Sequence, residues 1–365
     1  MYGLHQPNQV GWSYPNKGAH TMNDFNVIGI DLAKNILQVC VITKDGELLS
    51  NKAMKPAKLT EFLAKSKPAI VAMEGCGSCH YWARLAQKLG HQVRVISPKK
   101  VKAYLQGHKT DANDALAIAV ASMQVGQVFS QILSEEQQIL QTLESSRRFL
   151  TKEVTALSNH IRAYLYEYGI TTPQGKKGLR EKIATIVDPQ DQQLPVSLKN
   201  TLTLLWERYK QTGIELKQVQ TTMAGLVKQI EPCKRLMALE GVGSVCASML
   251  YAHLGDGRGF KSGRDASAYI GLTPKQHSSG GKVHLMGIGK HSGNVPLRSL
   301  LYVGALAVVS RLPSTPRTEK EAWLLSLLDR VGLKRACIAL ANKTVRTAWA
   351  LLVTGNEYEP KLITQ

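Results

Sequence analysis

The sequence predicts an α/β plus α protein: a mixed sheet covered by helices, followed by a long, mainly helical remainder. Three observations lead there. Strand and helix signals alternate over residues 27–97, apolar residues recur at heptad spacing through much of 134–230, and 231–365 is basic with helical periodicity.

In the first region, "VIGIDLA" is a short apolar run ending in an acid. "ILQVCVIT" and "GELLSNKAM" flank Lys44-Asp45-Gly46, an Asp-Gly turn that predicts a hairpin. Pro56 opens an amphipathic helix, "AKLTEFLAKS". A buried strand "AIVAME", a helix "CHYWARLAQKLG" closed by Gly90, and a strand "QVRVIS" follow. Hairpin strands succeeded by alternating helix and strand describe a mixed sheet.

Beyond residue 134 the period changes. Leu143, Leu150, Val154, Leu157, Ile161 and Tyr164 fall on one helical stripe. After a break rich in Pro, Gly and Gln, a second stripe runs Leu198, Leu202, Leu205, Tyr209, Leu216, Val219, Met223, Leu226 and Ile230, with Thr212 interrupting. Steps of four and three suit a coiled-coil hairpin that pairs with itself or with another subunit. An ordinary amphipathic pair packing within one chain reads the same way. Further on, "LEGVGSVCASML" carries Gly241 and Gly243 straight into a helix whose first amides can hold a DNA phosphate. That is the look of a helix-hairpin-helix element, and a plain Gly-rich turn gives the same pattern. The expected division is a disordered leader over 1–23, an α/β domain over 24–130, a helical coiled-coil domain over 131–230 and a C-terminal domain over 231–365.

A formal net charge of +19 points to a polyanionic partner. No apolar run approaches the ~20 residues of a spanning helix, which favours nucleic acid over a membrane. Residues 1–21 have neither an apolar core nor a small-residue cleavage site, so they are not a signal peptide. Met22 is an alternative start, and the expected location is the cytoplasm. The six scattered cysteines are no disulfide framework. "CGSCH", Cys76 to His80, matches a haem-attachment pattern, but without an export signal it reads as small residues opening a helix.

The sharpest signal is "HKTDANDALAIA". Asp111 and Asp114, three apart at the head of a helix, project from one face. Asp31 ends the first strand and Glu74 ends "AIVAME". Converging carboxylates need positive compensation, and hard oxygen donors without histidine favour Mg²⁺ or Mn²⁺. Two such ions about 3.5–4 Å apart clamp the attacking and leaving oxygens of a phosphodiester. Lys99, Lys100, Lys102, His108 and Lys109 lead into this helix and would draw a phosphate backbone there. There is no phosphate-binding G-x-x-x-x-G-K-[ST] loop, so no nucleotide cofactor is expected.

The order Asp31, Glu74, Asp111, Asp114, with "GIDLAK", "MEGCGSCHYWA" and "KTDANDA", resembles the DEDD transposases and DNA invertases of insertion sequences, the Piv/MooV type. "GVGSVCASMLYAHLGD", "AYIGLTPKQHSSGGK" and "ALANKTVRTAWALL" resemble that family's C-terminal blocks, so the resemblance spans about residues 24–355. It implies a RuvC-like, RNase H-type N-terminal domain holding Mg²⁺ (or Mn²⁺) on the four acids. It also implies oligomerisation, as a dimer or tetramer, through the helical region, and a catalytic serine in the C-terminal domain that works with an acidic site of another subunit. Members are guided by a structured bridge RNA that pairs with donor and target double-stranded DNA.

"HSSGGK", residues 277–282, holds the two candidate serines. Spacing alone favours a turn. Matched to the family's motif, Ser279 is the nucleophile, with His277 and Lys282 beside it, and one register shift exchanges it with Ser278. The implied chemistry is a covalent phosphoserine link to DNA, resolved by a free 3′-hydroxyl without ATP. Three other functions compete: a site-specific invertase of the same family, a Holliday-junction-type nuclease using the carboxylates and water, and a nucleic-acid-binding scaffold.

Overall fold

The computed structural model describes residues 26–186, 194–290 and 292–363; the expected leader over 1–23, with Met22, lies outside them. The chain forms two compact units, Met1–Ile132 and Leu133–Gln365. Among the described residues no helix is long and apolar enough to cross a membrane.

The first unit runs β1 (Val27–Asp31), β2 (Leu37–Ile42), β3 (Leu48–Met54), α1 (Pro56–Lys65), β4 (Ile70–Glu74), α2 (Cys79–Lys88), β5 (Gln92–Ile96), α3 (Pro98–Val101), a 3₁₀ turn and α4 (Asp111–Met123). The strands form one mixed sheet in the order β3-β2-β1-β4-β5. β2 is antiparallel to both β1 and β3, whereas β4 is parallel to β1 and β5. The predicted Asp-Gly turn joins β2 to β3, with Gly46 at φ 91°. Alternation along β1 sends Ile28 and Ile30 into one core with Leu59 and Leu63 of α1 and Trp82 of α2. Val27 faces the other way, against Ala115 and Ala119 of α4. Gly29 and Asp31 share that second face. On β4, Ile70 and Ala72 also meet α4, which places Glu74 on the same side by period two. "CGSCH" opens α2 as expected: Cys79 is its first residue, Ser78 sits at φ 66°, and both thiols are free.

The second unit is mainly helical: α5 (Glu135–Glu167), α6 (Gly175–Ile186), α7 (Val196–Val227), α8 (Glu231–Met237), α9 (Ser244–Leu254), α10 (Gly263–Ile270), then strands β6 (Gln276–Ser279) and β7 (Lys282–Leu285), then α11 (Val295–Val309) and α12 (Glu319–Thr354). Ser134 and Gln137 form a reciprocal capping box that starts α5. α5 and α7 lie antiparallel, because Leu140 clusters with Met223 and Val227 while Glu153 pairs with Arg208 at 2.6 Å. The two apolar stripes meet within the chain: Val154 and Ile161 share one core with Leu202, Tyr209 and Leu216. This is the amphipathic alternative. Thr212, which interrupts the stripe, is fully buried and donates to the Arg208 carbonyl at 2.8 Å. The Pro-, Gly- and Gln-rich stretch is no mere break, since it contains α6. Leu179, Ile183 and Ile186, spaced four and three, bury one face of that helix in the α5–α7 core.

α12 is not straight. Gly332 has φ 75° and ψ 169°, and there the chain folds back so that Leu324 and Leu327 pack with Ala336, Cys337 and Leu340. Because Ile161 is fully buried where α5, α6 and α7 meet, Ile161→Ala should lower unfolding free energy by about 2–5 kcal/mol in a denaturant titration.

Candidate active site

Each carboxylate has a local reason for its place. Asp31 is the last residue of β1, where the strand leaves the sheet. Glu74 ends β4, the parallel neighbour of β1. Thr110 caps α4 by accepting from the Asn113 amide, so Asp111 and Asp114 occupy its first turn and a half. Carboxylates are favoured at that end by the helix dipole.

α4 is drawn close to β1 by a missing side chain. A Cβ on Gly29 would lie 2.4 Å from the Ala115 carbonyl oxygen and 2.7 Å from the Ala119 Cβ. Ala115 directly follows Asp114, and Gly29 precedes Asp31 by two residues on the same strand face. The close approach therefore brings the acids together. A second tether comes from the sheet's edge: Gln38 donates to the Asn51 side chain at 2.7 Å, and Asn51 donates to the Ala112 carbonyl at 2.8 Å. Gln38 itself pairs with Asp31 across β1 and β2.

As a result, Asp31, Asp111 and Asp114 offer oxygens that all lie within 4.8 Å of one another. Glu74 stands outside that group but is close enough to act on it. Burial pushes the Asp31 carboxyl above its ordinary value, and the charges of Asp114, Asp111 and Glu74 push it further. Burial and Asp114 do the same to Glu74, and Lys109 offsets both upward shifts only in part. The residues fit a divalent metal: three carboxylates converge without histidine, and their mutual repulsion calls for a cation. Lys99, Lys100, Lys102 and Lys109 are all exposed, and Lys100 donates to the Val128 carbonyl at 3.1 Å.

The serines lie in the second unit, in strand rather than loop. β6 and β7 form a hairpin around Gly280 (φ 55°) and Gly281 (φ 75°), so "HSSGGK" is a two-residue turn with its flanking strand ends. Ser279 pairs with Lys282, Ser278 with Val283, and His277 with His284. By period two, Ser279, Lys282, His277 and His284 share one face of the exposed hairpin. The Ser278 hydroxyl accepts from Gln276 at 3.0 Å and lies on the other face. The stem is anchored firmly: Met286 donates to the Lys275 carbonyl at 2.7 Å. Arg298 donates to the carbonyls of Gly271, Gly289 and Lys290 at 3.1, 2.9 and 2.9 Å.

Gly241, between α8 and α9, has φ 75° and a packing role, since a Cβ there would lie 2.6 Å from the Gly304 carbonyl oxygen. Gly243 caps α9, and a Cβ there would meet nothing within 4 Å. Sequence reasoning missed Gly29, Asn51, His284 and Arg298. For His284 the signal was present, since it is the third residue after a Gly-Gly turn. Arg298 and Asn51 act on backbone carbonyls distant in sequence, which no local pattern marks.

A family model for transposases of the IS110 DEDD type matches residues 28–170, and the model described as "Transposase IS116/IS110/IS902 family" matches 233–320. The transposase for insertion sequence element IS1111A from Coxiella burnetii is 37% identical over 343 residues, covering 94% of this chain and 93% of its own length. The pilin gene-inverting protein of Moraxella lacunata is 24% identical over 359 residues, covering 92% and 98%. RuvC of T. thermophilus, in complex with Holliday junction substrate, shares 22% identity over 27% of this chain and 91% of its own, with a TM-score of 0.22 that is too slight to carry an inference. Converging carboxylates in a chain so similar to transposases define an enzyme of DNA strand transfer. The chain belongs to the IS110 family of insertion-sequence transposases.

Raised carboxyl pKa values set a testable sign. Repulsion at Asp31 and Glu74 is relieved when they are protonated, so its cost is absent in acid and grows as pH rises through their raised values. Mn²⁺ at a hundredfold excess over its Kd should stabilise the protein at pH 7 by about 2.7 kcal/mol. Asp31→Asn should melt higher than wild type without metal, lose most of the Mn²⁺ response, and converge with wild type as the pH falls. Thermal melts with and without Mn²⁺ read all three.

Proposed function

We propose that this transposase cuts and rejoins DNA through two elements: a metal-binding DEDD site on Asp31, Glu74, Asp111 and Asp114, and the nucleophile Ser279. The observation that carries the reading is the convergence of three carboxylate oxygens within 4.8 Å at the ends of β1 and α4. The strand order β3-β2-β1-β4-β5, with β2 antiparallel, supports an RNase H-type, RuvC-like first domain over 24–130. The remainder divides into the helical region over 131–230 and a C-terminal domain over 231–365, with α8 and α9 as a helix-hairpin-helix.

The acids hold Mg²⁺ or Mn²⁺. When bound, a divalent cation supplies the charge that polarises the scissile phosphate. Ser279 Oγ attacks phosphorus, the P–O3′ bond breaks, and the serine proton passes through a neighbouring base, His277 or His284, to the leaving 3′-oxygen. A 3′-hydroxyl from the other DNA then attacks, the P–Oγ bond breaks, and Ser279 regains its proton. Lys282, on the same hairpin face, steadies the charged phosphate. Ser279 is preferred to Ser278 because it shares a face with Lys282 and both histidines, while the Ser278 hydroxyl is bonded to Gln276.

Donor and target double-stranded DNA are the substrates, and the lysines before α4, with the amides after Gly241 and Gly243, meet phosphates. Guidance by a bridge RNA and work as a dimer or tetramer are carried over to this chain as part of the same proposal, supported by the motifs that resemble the family's. The second reading, inversion of a DNA segment, is favoured by the similarity to the pilin gene-inverting protein. A gel assay for protein bound covalently to DNA tests the mechanism, with Mg²⁺, element-end DNA, target DNA and RNA from the element's flanks. An adduct should form with wild type and Ser278→Ala and fall by at least a hundredfold, about 2.7 kcal/mol, in Ser279→Ala and Asp111→Ala. Cleavage without an adduct in any of them would make the protein a hydrolytic nuclease.

A further inference from the structure

The second unit contains a feature that neither the carboxylates nor Ser279 uses. An open groove of ≈ 1290 Å³ runs between α10, both arms of α12 and the foot of the β6–β7 hairpin. Small-molecule pockets span ~300–1,000 Å³ and are more enclosed, so this groove suits a segment of polymer. Arg264, Arg335, Lys343 and Arg346 line it, and no acidic residue does. Three of these, the arginines, are exposed, and none of the four has an ion-pair partner among the described residues. Uncompensated cations in one groove repel each other and are relieved by a polyanion.

The groove also offers ring surface. Trp323 and Trp349 are half-buried in its wall. Lys343 lies over the Trp323 ring at 4.6 Å, although the two are twenty residues apart on α12. On a straight helix they would stand about 30 Å apart. The reversal at Gly332 brings them together, so the cation–ring pair is a product of the fold. The wall is held in place from behind: Trp349 Nε1 donates to the Gly257 carbonyl at 2.9 Å, and Gly263 lets α10 approach the Arg346 backbone, where a Cβ would lie 3.1 Å from its Cα. At its other end the groove is bounded by Pro274 and Gly287, which flank the hairpin strands.

We propose that this groove holds single-stranded DNA and leads the strand to the foot of the hairpin that carries Ser279. Separated cations track the phosphates, and the accessible part of the half-buried indoles offers a stacking surface to unpaired bases, which a duplex does not present. The proposal rests on the transposase reading for the polymer's identity as DNA, and it does not depend on Ser279 being the nucleophile.

The test is fluorescence-anisotropy binding of the full chain to labelled oligodeoxythymidylate of about 20 nucleotides, to a duplex of equal length and to oligouridylate. Arg335→Ala/Arg346→Ala, both at exposed positions, should weaken single-stranded DNA binding at least tenfold and reduce the slope of log K against log[salt] by about 1.4. Trp323→Ala should weaken it about tenfold without changing that slope. Duplex affinity should change less than threefold in either variant. Melting temperatures check folding, and if Trp323→Ala is unstable the arginine pair decides alone. Unchanged single-strand affinity in the arginine pair would overturn the proposal. So would a loss confined to oligouridylate, which would give the groove to RNA, or a loss confined to the duplex. The readout is binding by the groove alone, so failure of the covalent-adduct assay would leave this result standing.

Discussion

The acidic site depends on the contact between Gly29 and α4. Sheet and helix normally keep the distance that side chains impose, and here one side chain is absent. The Ala115 carbonyl and the Ala119 methyl occupy the space a Cβ would need. That approach sets the height of α4 above β1, and so determines whether Asp111 and Asp114 reach Asp31 at all. The Gln38–Asn51–Ala112 relay fixes the same helix from the β3 side. Two independent constraints thus act on one turn of helix, as a preorganised site requires.

Such a site opposes folding on its own. Carboxylates pressed together and partly buried raise one another's pKa, and Lys109 offsets this only in part. The α4 dipole favours Asp111 and Asp114 where they stand. What remains would be relieved by a metal held between the carboxylates, and under the proposed function the lysines of 99–109 would draw phosphates toward it. Charge of the opposite sign dominates the second unit, where the α10–α12 groove gathers four basic side chains without an acid. Basic side chains are thus gathered in both units, whereas three carboxylates converge at one place, between β1 and α4.

Much of this was legible in the sequence. Asp31 and Glu74 end apolar runs, and Asp111 and Asp114 head a helical pattern, so periodicity alone puts them at strand ends and a helix head. The hairpin before α1 was announced by Asp45-Gly46. Other features left weaker traces. α6 has three apolar residues at helical spacing, but Pro and Gly around it suggested a break. "HSSGGK" holds no β-branched or aromatic residue, so its strands are visible only through their backbone pairing. Gly332 interrupts what otherwise reads as continuous helix, and a single glycine is compatible with either a tolerated defect or a reversal. The contacts of Gly29, Asn51 and Arg298 join residues far apart in the chain, and only the folded structure brings them together.

The claim that a missing side chain builds the site is tested most directly with Gly29→Ala. One added methyl, which overpacks the β1–α4 contact at a typical cost of about 1–3 kcal/mol, should leave the protein folded but lift the first turn of α4 away from Asp31. Isothermal titration with Mn²⁺ at pH 7, on protein shown to melt cooperatively, is the measurement. The account predicts affinity at least tenfold weaker than wild type, about 1.4 kcal/mol. Wild-type affinity in folded Gly29→Ala would contradict it, and would mean that the carboxylates converge without the close approach of helix to strand.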